Sequence, residues 1–77
     1  MIHFIKNEKQ ILDIFNLNIR EINKQSNEKI NYINSEKDLN DKFIEISKKT
    51  NIKLNKTNSI KDINSNFLII NKKLVVK

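Results

Sequence analysis

The chain contains no glycine and no proline, and this double absence restricts what its turns can be built from. Glycine adopts positive φ at little steric cost, so any such position must fall to Asn or Asp, the other residues that tolerate it best. Asn is abundant, with 14 copies in 77 residues. We therefore interpret the Asn residues between apolar runs as turn and helix-end positions, namely Asn7, Asn27, Asn34, Asn51, Asn55, Asn58 and Asn71.

The remaining composition indicates an A+T-rich gene. Ala, Cys and Trp are also missing, whereas Ile, Asn and Lys together supply 43 of the 77 residues. Ala, Gly and Pro codons begin with two G or C bases, and Ile, Asn and Lys codons begin with two A or T bases. We therefore expect an intracellular protein, from the matrix of an organelle (mitochondrion or plastid) or the cytoplasm of an A+T-rich bacterium. Codon bias of this kind also lowers the functional weight of each individual Lys and Asn.

The length allows one small domain, residues 1–77. No window reaches the roughly 18 apolar residues of a membrane span, and the N-terminal residues turn polar too early for a signal peptide. We expect no membrane insertion. We find no internal repeat and no linker rich in Gly, Ser or Pro.

Two amphipathic helices are predicted. The first spans residues 8–24, with Asn7 as its cap and Gln10 positioned to complete a capping box. The second spans residues 36–50, where Ser35 is a good cap, acids occupy the first turn and lysines the last. Acid-before-base pairs, Asp38 with Lys42 and Glu45 with Lys49, favour the second helix further.

The other apolar runs predict strands. Candidates are residues 1–5, 29–34, 52–54, 67–70 and 74–76, and the last two, separated by Asn71-Lys72-Lys73, indicate a hairpin. Residues 59–64 could form one helical turn. The order predicts an α/β or α+β fold, with two amphipathic helices packed on a small sheet that ends in a C-terminal β-hairpin.

The terminal run from Phe67 to Val75 resembles the end of a glutaredoxin-like domain. That family carries its function on a Cys motif and a cis-Pro, and the chain has neither residue type. Redox chemistry is not implied, and no family is identified.

Residues suited to catalysis are scarce. Without Gly there is no phosphate-cradling loop, and without Cys there is neither a disulfide nor a thiolate metal site. His3 is the only imidazole, and we interpret it as an ordinary strand residue. The acids Asp38, Asp41 and Glu45 alternate with lysines and indicate a solvated, salt-bridged helix face. We predict that the chain is not an enzyme and has no metal, cofactor or small-molecule substrate.

The positive charge is concentrated in the last third of the chain. The formal charge is +1 over residues 1–26, zero over 27–50 and +5 over 51–77. A local excess of this kind binds phosphate backbones or acidic protein surfaces, although a solvated lysine face is the commoner explanation. The candidate nucleic-acid-binding residues are Lys48, Lys49, Lys53, Lys56, Lys72, Lys73 and Lys77.

The predicted function is that of a small non-catalytic subunit of a larger assembly, with RNA or protein subunits as partners. An RNA-associated, ribosomal-type component is the first hypothesis, because the chain is small, basic and without catalytic groups. The alternative is a protein-binding module, such as an inhibitor, an immunity factor or a phage accessory protein. Tyr32 is the only aromatic residue outside the apolar runs and is a candidate for base stacking.

Overall fold

The computed structural model describes residues 1–75 and contains, over that range, three α-helices and no β-strand. The helices are α1 (Ile11–Ser26), α2 (Leu39–Thr50) and α3 (Ile60–Val75). Short 3-10 turns, Glu8–Gln10 and Glu36–Asp38, lead into the first two. The fold is all-α, and the predicted α/β or α+β fold with a small sheet and a C-terminal β-hairpin is wrong.

The predicted hairpin lies within α3. A continuous apolar run such as residues 67–70 fits a strand and a buried helix equally well. The helical register is visible only over a longer window, in which Ile63, Phe67, Ile70 and Leu74 recur at helical spacing and are all buried. The predicted turn at residues 71–73 belongs to the last turns of the same helix, and Val76 lies outside the described residues.

The helix starts have the predicted cap residues, but the predicted capping box is not formed, because the Gln10 side chain accepts from the Lys6 N–H and not from that of Asn7. Asn7 and Ser35 have extended backbones, and their side-chain oxygens accept hydrogen bonds from the backbone N–H groups of Lys9 and Lys37. Ser59 does the same for Asp62 at the start of α3, while the Asp62 carboxylate accepts from the Asn58 N–H. This reciprocal cap stabilises a helix that the strand assignment missed.

The three helices run in the same direction. Their first turns meet at one end of the molecule, where a single groove is lined by Ile11, Leu39 and Ile63. One turn further along, Phe15, Phe43 and Phe67 form a fully enclosed ring triad, with pairwise centroid distances of 5.0, 5.3 and 5.4 Å and interplanar angles of 60–67°. Each ring contacts the other two edge to face, an arrangement that adds to the stabilisation from area burial.

Parallel helices require the chain to return to the starting end between them. Residues 28–34 form the second segment and residues 52–58 the third, and residues 1–6 precede α1 as the first. The 16 residues of α1 rise about 24 Å, and seven residues cover about 23 Å only when nearly fully extended. Three predicted strand regions, 1–5, 29–34 and 52–54, therefore fall in these segments, and within the described residues they belong to no sheet.

Asparagine side chains take the place of neighbouring strands. In each of six pairs, the carboxamide Oδ1 accepts from the backbone N–H of a segment residue while Nδ2 donates to the C=O of that same residue, at 2.7–3.0 Å. We call this arrangement an asparagine clamp. The clamps are Asn18 on His3, Asn64 on Ile5, Asn23 on Ile30, Asn16 on Ile33, Asn66 on Asn55 and Asn40 on Thr57. They satisfy backbone groups that a sheet would otherwise pair.

The clamps also connect the three segment-helix units in a ring. Asn64 of α3 holds Ile5 in the first segment, Asn16 of α1 holds Ile33 in the second, and Asn40 of α2 holds Thr57 in the third. Each of these segments is therefore attached to the helix of another unit, in cyclic order.

The units share a sequence register that the sequence analysis did not detect. Counted from the triad Phe, the cap residue lies eight positions earlier, a buried apolar residue four earlier and the cross-clamped residue ten earlier. The three caps are Asn7, Ser35 and Ser59; the apolar residues are Ile11, Leu39 and Ile63; the clamped residues are Ile5, Ile33 and Thr57. The expectation of no internal repeat is wrong, because the repeat lies in spacing and role, with little identity.

Candidate nucleic-acid interface

The parallel order of the helices brings their last-turn lysines to one end of the molecule. Acidic residues lie in or beside the first turns, where the helix dipole favours anions, and these are Glu8, Glu36, Asp38 and Asp62. Lysines occupy the last turns of all three helices. Because the helices start together and pass through one triad, their last turns lie on the far side of it.

We refer to this far side as the basic end. It contains the last-turn lysines and the lysines that begin the following segments, all of them exposed: Lys24, Lys29, Lys48, Lys49, Lys53, Lys72 and Lys73. Glu21, Glu28 and Glu45 are the acids on the same stretches of chain. Glu21 pairs with the amino group of Met1. The net charge of this end is therefore clearly positive.

The structure divides the predicted lysines into groups. Lys48, Lys49, Lys53, Lys72 and Lys73 belong to the basic end. Lys56 lies closer to the helix starts, beside the clamp between Asn40 and Thr57. Lys77 lies outside the described residues.

Two lysines of the basic end, Lys24 and Lys29, were missed by the sequence analysis. The charge was summed over thirds of the chain, and their thirds are close to neutral. The position of Lys24 at the end of a predicted helix was the available signal, but it identifies a shared surface only once the helices are known to be parallel.

Ion pairing on α2 involves Glu45 and two lysines. The Nζ of Lys42 donates to Glu45 at 2.9 Å, and the Nζ of Lys49 lies 3.6 Å from the other carboxylate oxygen. The hydrogen bond from Lys42 lowers the pKa of Glu45, partial burial raises it, and the positive charges of Lys42 and Lys49 lower it further, with a net decrease. The predicted Glu45 to Lys49 pair is present, whereas Lys42 pairs with Glu45 and not with Asp38.

A groove of about 490 Å³ runs between α2 and the third segment. Ile44 and Leu54 supply its accessible apolar surface, and its lining also includes Phe43 of the triad, which is only 2% exposed. Lys48 lines it from the helix and Lys56 from the segment. The structure therefore brings two of the predicted lysines to one groove, next to apolar side chains that the sequence analysis assigned no role.

His3 and Tyr32, the other two residues considered in the sequence analysis, both lie at the surface. His3 is exposed, and its backbone is held by Asn18. Tyr32 is 56% exposed and lines a shallow groove with Leu17 and Arg20. Within residues 1–75 no group of three or more His, Cys, Asp or Glu side chains could hold a metal ion. No helix in that range is long and apolar enough to cross a membrane.

Comparison of the chain with protein families, with curated proteins and with solved structures finds no match. The resemblance of the terminal run to a glutaredoxin-like domain loses its basis, because Phe67 and Ile70 lie on a helix and not in a hairpin.

Proposed function

We propose that the protein is a small non-catalytic component of a larger assembly that binds RNA through its basic end. The observation that supports this proposal is that three parallel helices direct their last-turn lysines to one side of the ring triad. Few acidic side chains lie among these lysines. Lysine acts on phosphate as a point charge and does not distinguish one base sequence from another. Binding would follow the RNA backbone and its shape.

The size of the charge supports a role beyond stabilising helix ends. A helix C-terminus carries about half a negative charge, so three ends present roughly one and a half. The basic end has seven lysines against three acids, an excess of about four positive charges by side-chain count. The surplus fits an external polyanion.

The test compares two charge-matched variants. In the basic-end variant, Lys24, Lys48, Lys53 and Lys72 are replaced by Gln; Lys49 is kept because it pairs with Glu45. In the control variant, four lysines outside the basic end, Lys6, Lys9, Lys37 and Lys61, are replaced by Gln. Binding of a fluorescent single-stranded RNA is then measured by anisotropy over a range of salt concentrations.

The basic-end variant should lose affinity, and its plot of log K against log salt should flatten by about 0.7 for each lost phosphate contact. The control variant has the same net charge and should keep the slope of the original protein. Equal loss in both variants would show that net charge alone attracts RNA. Unchanged binding in the basic-end variant would refute the proposal.

The second candidate function, a protein-binding module, is supported by exposed apolar side chains. Phe4 and Leu68 are 43% and 45% exposed and line one shallow groove. Leu17 and Tyr32 are similarly exposed along another. Association through such surfaces should change little with salt, so a partner retained at high salt would favour this function over RNA binding.

A further inference from the structure

Each helix forms a groove with the segment of the next unit in the ring. α1 forms one with the second segment, α2 with the third and α3 with the first, with volumes of about 410, 490 and 470 Å³. The linings correspond by register. The residue that follows the triad Phe lines each groove from the helix: Asn16, Ile44 or Leu68. The residue eleven positions before the Phe of the next unit lines it from the segment: Tyr32, Lys56 or Phe4.

Two of these grooves are lined by an aromatic side chain from the segment. Tyr32 occupies the segment position in the α1 groove, and Phe4 occupies it in the α3 groove. In the α2 groove the equivalent residue is Lys56. The α2 groove thus carries a cation at the position where its two counterparts carry an exposed aromatic ring.

The α2 groove is also more enclosed and has more apolar surface than its two counterparts. Its lining includes Phe43 of the triad, whereas the linings of the other two grooves include no triad ring. Ile44 is 54% exposed here, and Leu54 is partly buried against the core. A planar ring placed on these side chains would bury apolar surface on both partners.

We propose that this groove binds one nucleobase of a single-stranded RNA, with the adjoining phosphates against Lys48 and Lys56. The inference rests on the proposed RNA-binding function and extends it from the basic end to a specific subsite. Cations on two sides of an apolar surface match a nucleotide, in which a flat aromatic ring is joined to anionic phosphates. An apolar peptide side chain would leave both lysines without a counter-charge.

The polar residues at the rim of the α2 groove could form hydrogen bonds with the edge of a nucleobase. The Asn40 carboxamide is already committed to Thr57, but Asn55 and Ser47 line the groove as well. Asp41 lies two helical turns from Lys48 on the same wall. Its carboxylate would repel phosphate there and could accept from a base amino group, which directs the phosphates toward the lysines.

The test compares a short single-stranded RNA with the same oligonucleotide lacking one central base. Both have the same number of phosphates, so a difference in affinity reports the base alone. The original protein should bind the intact oligonucleotide roughly fivefold or more tightly, as expected for one stacked base. Backbone amide NMR shifts at Ile44, Leu54 and Asn55 should differ between the two oligonucleotides.

Two variants of Lys56 separate charge from groove filling. Lys56→Gln removes the charge and should keep the preference for the intact oligonucleotide. Lys56→Tyr removes the same charge but places a ring beside Ile44 and Leu54 that competes with the base for their apolar surface, and it should weaken the preference. As a matched control, Lys53→Gln and Lys53→Tyr change a lysine of the same segment that does not line the groove, and both should keep the preference.

The outcomes distinguish the two proposals. Salt-dependent binding with no preference for the intact oligonucleotide would overturn the nucleobase site and leave the basic end as an RNA surface. Equal preference in Lys56→Gln and Lys56→Tyr would also overturn the site. Failure to bind either oligonucleotide at any salt concentration would overturn the proposed function and the site with it.

Discussion

An asparagine side chain presents one acceptor and two donors in the same plane, so it can bond both the N–H and the C=O of one extended residue. In this chain six Asn side chains do so, one caps a helix start, and Asn27 and Asn51 end helices with φ of 59°. Nine of the 14 Asn residues therefore have a defined structural role. The positions at which Asn is used are therefore set by the fold.

The sequence predicted the role of Asn at helix ends but could not predict the clamps. The left-handed backbone at Asn27 and Asn51 follows from the absence of glycine, and the structure confirms it at both positions. The clamps were missed because each depends on a tertiary partner; Asn64 and Ile5, for example, are 59 residues apart. No local pattern distinguishes a clamping Asn from an exposed one such as Asn31.

The clamps can be tested at Asn66, which is fully buried and holds Asn55 at 2.7 and 2.9 Å. Asn66→Leu keeps the volume but leaves two backbone groups without partners, and we expect a loss of about 1–3 kcal/mol in the free energy of unfolding. Urea titration followed by circular dichroism measures it. Asn31→Leu, the matched control at an exposed site, should change stability by less than about 0.5 kcal/mol. Equal effects would contradict the clamp interpretation.

The helix end at Asn51 allows a second residue-level test. Ala strongly disfavours positive φ, so Asn51→Ala should destabilise the protein by about 1–2 kcal/mol. Asn51→Gly relieves that cost and should keep nearly the original stability. Thermal unfolding of both variants gives the comparison. A Gly variant as unstable as the Ala variant would indicate that the Asn51 side chain, and not its backbone, matters.

At the scale of elements, the caps and the apolar periodicity were sufficient to predict α1 and α2 as helices, but they did not predict α3. The first two helices have polar residues between their apolar positions, so the helical period is visible. In α3, Leu68 and Ile69 fill the space between Phe67 and Ile70 and hide that period. The extended segments were recognised as extended, but a strand assignment presumes another strand as partner, and here the partner is a side chain.

The Glu45 ion pairs on α2 predict how its stability varies with pH. Because the folded-state pKa of Glu45 lies below the ordinary value of 4.5, the pairs stabilise the protein above that value and this stabilisation is lost as pH falls through the folded-state pKa. The site is partly exposed, so the contribution should be below about 1 kcal/mol. Urea unfolding of the original protein and of Glu45→Gln should differ near neutral pH and converge in acid.

A double-mutant cycle supplies the control for this prediction. Lys42 donates the hydrogen bond that lowers the pKa most, so Glu45→Gln should have a smaller effect when Lys42 is already replaced by Met. An undiminished effect in that background would assign the pH dependence to another partner.

At the scale of the whole molecule, the ring of clamps and the ring triad join the three units into a single cooperative structure. Asn40→Leu, which releases Thr57 in the third segment, should therefore weaken the whole protein and not one unit. Tyr32 fluorescence, which reports the second segment, and far-ultraviolet circular dichroism, which reports all helices, should give the same shifted midpoint. Separate midpoints would show that the units unfold independently.

The cross-clamp between α3 and the first segment has a consequence for synthesis of the chain. During translation, the first segment emerges before the rest of the ring of clamps, whereas its partner Asn64 and the third triad residue, Phe67, emerge after the other two units. Neither the ring of clamps nor the triad can close until α3 has left the ribosome, so we expect residues 1–58 of the nascent chain to remain without stable tertiary structure until α3 has emerged, in contrast to proteins whose early segments fold in succession.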